Sequence, residues 1–135
     1  MIVLDAGAWA LALTSADPAA DAARDILSGD DQWILPAHGT VETLRTIRRL
    51  EAHGHLSSED ATAAIEEICG AETITAPAEP WLLRDIWSLR HNVSPYDAAY
   101  VAVARRFECP LVTFDERLAR ASAQLGVTAT VPGAR

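Results

Sequence analysis

Two short apolar runs, Ile2-Val3-Leu4 and Leu111-Val112-Thr113-Phe114, each end at an aspartate, Asp5 and Asp115, and each leads at once into a helix-prone segment. This junction constrains the fold more than any other feature. Neighbouring parallel strands must be joined by a crossover, and a strand running through a polar residue into a helix is the unit from which crossovers are built. The intervening sequence repeats the alternation. Helices are expected over 6–13 and over 18–27, the second opened by Asp17-Pro18 and stopped by Ser28-Gly29. A strand over 32–35 stops at Pro36, and a helix over 37–53 carries an apolar stripe of Val41, Leu44, Ile47 and Leu50. Ser57 with Asp60 caps a helix reaching Gly70, and a weak strand follows over 73–75. Further helices are read over 80–89, over 96–107 after Ser94-Pro95, and over 117–125, with strands over 110–114 and 127–131. The pattern predicts an α/β fold with a parallel sheet flanked by helices. With 135 residues, half of them apolar, and no linker or repeat, a single domain over 1–135 is expected.

Composition then removes several chemistries. All eleven basic residues are Arg, so a P-loop, a Schiff-base amine and a Ser–Lys hydrolase are excluded. A net charge of −8 argues against coating nucleic acid through the overall field, and four acids gathered around a cation would account for half of it. Cys69 and Cys109 lack metal-ligand spacing and read as buried free thiols. No leader or membrane-spanning stretch is visible, so a cytoplasmic protein with no membrane partner is expected.

Ligand sites in open α/β sheets gather beyond the carboxyl ends of the strands. Asp5 and Asp115 stand there, Asp97 lies in the first turn of the helix that feeds the last Asp-ended strand, and Glu42 lies early on its own helix. Each has a plain alternative: an N-cap for Asp5 or Asp115, a dipole partner for Asp97, a surface pair with Arg45 or Thr46 for Glu42. If the four converge, their repulsion demands protons or a cation, and an all-oxygen donor set suits Mg²⁺ and phosphodiester hydrolysis.

The motifs Ile2-Val3-Leu4-Asp5-Ala6, Val41-Glu42-Thr43-Leu44-Arg45, Tyr96-Asp97-Ala98-Ala99-Tyr100 and Leu111-Val112-Thr113-Phe114-Asp115 resemble, in order and spacing, the PIN-domain ribonucleases, in particular VapC-type toxins. The resemblance implies a PIN-like three-layer fold with a sheet of about five strands. It further implies Mg²⁺-dependent, or Mn²⁺-dependent, endonucleolytic cleavage of RNA, a VapB-type antitoxin as partner, and a homodimer. Carried onto this sequence, Asp5, Glu42, Asp97 and Asp115 form the catalytic, metal-holding quartet, and Thr113 supports it. One departure is Gly7, where many relatives carry Ser or Thr.

Arg45, Arg48 and Arg49 follow Glu42 and are candidates for RNA contact, against a plain reading as a solvated face. His53 and His55 are too few for a metal site, and His38 and His91 suggest no role. Trp9, Trp81 and Trp87 read as core or dimer contacts, and Trp33 as buried. A haloacid dehalogenase-type phosphatase fails for want of Lys and of an acid at Gly7. A non-catalytic PIN-like module that binds RNA or protein is the alternative function, separated from the nuclease by Mg²⁺-dependent turnover.

Overall fold

A computed structural model describes residues 1–134, so the last position of the expected 1–135 domain lies outside the described residues. Strands β1 (Ile2–Leu4), β2 (Trp33–Pro36), β3 (Ile74–Ala76), β4 (Leu111–Val112) and β5 (Ala129–Thr130) form one sheet in the order β3-β2-β1-β4-β5. Every pairing is parallel. Helices α1 (Ala6–Thr14), α2 (Pro18–Ser28), α3 (Gly39–Ala52), α4 (Ser58–Gly70), α5 (Pro80–Ser88), α6 (Pro95–Arg106) and α7 (Glu116–Gln124) make the connections. Among the described residues no helix is long and apolar enough to cross a membrane.

The period-two geometry of a strand divides the core into two layers. Val3, Ile34 and Leu111 point to one face, where they pack with Leu82, Leu118 and the body of α6. Ile2, Leu4, Leu35 and Val112 point to the other, against Trp9, Ala23, Ile47 and Ala64 of α1 to α4. Helix α6 is buried from Ala98 through Ala104, and its alanines let it lie close to β1, β2 and β4.

Sheet order fixes where a ligand belongs. The chain builds β1, β2 and β3 outward in one direction, then returns to place β4 on the opposite side of β1. The strand order therefore reverses between β1 and β4, and the crevice beyond their carboxyl ends is the switch point where α/β sheets bind ligands.

Several local expectations are corrected. Pro36 does not stop β2 but completes it, pairing with Ala76; as the strand's last residue its missing N–H costs little. Strand β4, Leu111–Val112, is shorter than the expected 110–114. The buried residues of α3 are Gly39, Thr43 and Ile47; Val41 is 68% exposed and Leu44 is also exposed. Thr43 can be buried because its hydroxyl donates to the Gly39 carbonyl at 2.9 Å. Cys69 is exposed and Cys109 half-buried, and they are not bonded to each other. Trp9 is buried, Trp33 and Trp81 are half-buried, and Trp87 is 67% exposed.

Candidate active site

Asp5 occupies the N-cap position of α1 in extended backbone, yet its side chain caps nothing. Its Oδ2 instead accepts a 2.7 Å hydrogen bond from the hydroxyl of Thr113, a fully buried residue. The same hydroxyl accepts from the Asp115 N–H at 3.0 Å, so Thr113 joins the ends of β1 and β4. Burial pushes the Asp5 carboxyl up to about 6; the Thr113 bond opposes this, and Asp97 and Glu42 add to it through their charge.

Asp97 is placed by the start of α6, where the Ser94 side chain accepts from the Asp97 N–H and Pro95 opens the helix. Burial and then the charge of Asp115 raise its pKa, while Arg117, Ser94 and His38 pull it back. Asp115 itself is exposed and acts as a helix cap, its Oδ1 accepting from the N–H groups of Arg117 and Leu118 at 3.0 and 3.1 Å. The sequence-level alternatives thus divide: Asp115 has the capping role that Asp5 lacks.

Glu42 faces inward rather than pairing with Arg45. Its Oε1 accepts from the Tyr100 hydroxyl at 3.1 Å and lies 2.9 Å from His38 Nε2, a contact without hydrogen-bond alignment. Burial, then Glu42 and Asp5, push the Tyr100 hydroxyl far above its ordinary range, so it remains a donor. The His38 ring meets Tyr96 and Tyr100 edge-on, with centroids 5.6 and 5.5 Å apart.

Charge therefore links Asp5 to Glu42 and Asp97, and Asp97 to Asp115. Among the described residues no three His, Cys, Asp or Glu side chains stand close enough to form a finished metal cage. The four carboxylates, with no thiolate and with the His38 imidazole against Glu42, have the chemistry of a hard-cation site, and their mutual repulsion is what a divalent ion relieves.

Arg45, Arg48 and Arg49 are exposed on α3. Arg45 and Arg48 border a groove against α4, and Arg49 lies in a separate cleft with His53 and His55. The guanidinium whose field reaches Asp97 is that of Arg117. Sequence reasoning missed Arg117, Tyr100 and His38 as neighbours of the acids. Helical spacing held the signal for His38, which stands four residues before Glu42.

Residues 2–124 match the PIN domain family. Ribonuclease VapC1 of Mycobacterium tuberculosis is 40% identical over 80 residues, a match covering 59% of this chain and 60% of that protein, less than two thirds of its length. Ribonuclease VapC9 of the same organism is 33% identical over 118 residues, covering 87% of this chain and 88% of that protein. In three dimensions the chain is similar to the crystal structure of FitAcB from Neisseria gonorrhoeae, with a TM-score of 0.71 over 98% of both chains at 15% identity, a likeness of fold alone.

Proposed function

This chain belongs to the PIN-domain family, with VapC ribonucleases among its relatives, and from that premise we propose that it is a Mg²⁺-dependent endoribonuclease toxin inhibited by a VapB-type antitoxin. The observation that carries the reading is the coupled group of Asp5, Glu42 and Asp97 at the sheet's switch point, with Asp5 pushed to about 6. The chain is taken to work as one domain, in the cytoplasm, as a homodimer.

In this proposal Asp5 and Asp97 are the principal ligands of Mg²⁺ or Mn²⁺, and Glu42 and Asp115 complete the set directly or through water. When bound, the ion supplies positive charge opposite the phosphoryl oxygens and acidifies water at the site. Thr113 fixes the Asp5 carboxylate through Oδ2. Tyr100 holds Glu42 Oε1, which leaves Oε2 for an ion or a water. A carboxylate of the group takes the proton of the attacking water. Arg45, Arg48 and Arg49 are assigned to the outer course of the RNA backbone.

The second reading, a PIN-like module that binds RNA or protein without cutting, is favoured by one observation: Asp115 already spends Oδ1 on the α7 cap. Inducing the protein and its Asp97→Asn variant in a bacterial host, and mapping new RNA 5′ ends, separates the two. The nuclease predicts growth arrest with discrete new ends, both lost in the variant. Equal behaviour of the two proteins, both soluble, contradicts it.

A further inference from the structure

A cleft of about 460 Å³ opens beside Asp97, between the 90–94 turn and α7. Arg90, His91, Asn92 and Arg117 line it, so the acidic centre adjoins a cluster of hydrogen-bond donors on a chain of net charge −8. The volume lies within the range of pockets that hold one small ligand. Arg90 is held in place: it donates to the Trp87 carbonyl at 2.9 Å, and its guanidinium lies 4.6 Å from the Trp87 ring centroid. Trp87 is 67% exposed, a large area of indole that the core does not use.

We propose that this cleft is a nucleotide subsite for single-stranded RNA, in which Arg90 and Arg117 hold the backbone phosphate next to the scissile one and an unpaired base continues the Arg90–Trp87 stack. The proposal rests on the ribonuclease reading and adds the route of the strand. A phosphate needs cations near the carboxylates to approach them at all, and Arg117 already offsets the charge of Asp97. An exposed aromatic ring with a guanidinium on its face is a sequence-tolerant platform for a base, and duplex RNA, whose bases are already stacked, cannot use it. Asn92 and His91 add donors on the same wall.

The test uses an Asp5→Asn parent, which lacks a principal acid but keeps every residue of the cleft, and a fluorescent single-stranded RNA oligonucleotide followed by anisotropy over a salt series. Arg90→Ala is expected to weaken binding about tenfold and lower the salt slope by about one. Trp87→Ala is expected to weaken binding with the slope unchanged, and Arg90→Lys to restore the slope but not the full affinity. Arg105→Ala, remote from the cleft, serves as a control for unaltered binding, and urea midpoints establish that each variant is folded. Unchanged affinity in both Arg90→Ala and Trp87→Ala, an equal loss on duplex RNA, or no RNA binding by the parent would overturn the subsite. Cleavage by the wild type is scored separately. Cutting with an unaffected Kd in Arg90→Ala removes the subsite alone, and binding at the cleft without cutting removes the nuclease reading alone.

Discussion

Asp5 is where the cost of the site is concentrated. Its carboxyl titrates near 3.8 in an unfolded chain and near about 6 in the folded, metal-free protein, so the native state binds the proton more tightly. The resulting stability is complete below pH 3.8 and is lost as pH rises through about 6. Asp5→Asn, which keeps an acceptor for Thr113, should therefore be more stable than wild type at pH 7.5 in EDTA, by up to about 3 kcal/mol, with the gap closing below pH 4. Urea denaturation at the two pH values measures this, and a gap independent of pH would remove burial of the charge as its cause. Tyr100→Phe loses the donor to Glu42. It should lower divalent-ion affinity roughly tenfold, read by calorimetric titration, with a small change in urea midpoint. At this scale the sequence showed which acids to consider but not their partners. Thr113 and Asp5 are 108 residues apart, and Tyr100 and Glu42 58 apart, so only the folded sheet brings them together.

At the scale of elements, the short connections do the positioning. Ser94 caps α6 three residues before Asp97, and Ser94→Ala should cost about 1 kcal/mol in urea denaturation. Between α6 and β4, Glu108 sits at φ 51, a left-handed position that suits glycine, so Glu108→Gly should raise stability by about 1 kcal/mol. Gly39 opens α3 against Leu35: an added Cβ would lie 2.9 Å from Leu35 Cβ and 3.4 Å from the Tyr100 hydroxyl. Gly39→Ala should lower Tm through overpacking, at a cost of about 1–3 kcal/mol. Element types were legible because caps, prolines and apolar runs are local signals; Asp17-Pro18, Ser57 and Ser94-Pro95 all start helices as expected. The buried face of α3 was legible only in part. Of its apolar stripe Val41, Leu44, Ile47 and Leu50, Ile47 is buried as expected, but Val41 and Leu44 are exposed, and tertiary packing against α1 and β2 buries Gly39 and Thr43, one small and the other locally satisfied.

The whole molecule explains why acids from four distant segments come within reach of one another's charge. Parallel order β3-β2-β1-β4-β5 reverses direction between β1 and β4, and the residues that follow those strands, Asp5 and Thr113 to Asp115, flank the crevice so formed. Helices α3 and α6 bring Glu42 and Asp97 to within electrostatic reach of Asp5. Alternation of strands and helices foretold the parallel sheet, and the Asp-ended runs foretold that Asp5 and Asp115 stand beyond the carboxyl ends of β1 and β4, but strand order is a property of the whole fold that no local segment encodes. The central claim is that this edge gathers a divalent ion to hydrolyse RNA. Its most direct test is the rate at which the purified protein cuts a labelled single-stranded RNA as Mg²⁺ is raised from an EDTA-chelated baseline, beside Asp97→Asn. The account predicts no cutting in EDTA, a saturable rise with Mg²⁺, and no rise in the variant. Cutting that persists in EDTA, or RNA that is bound but never cut at any Mg²⁺ concentration, would contradict it.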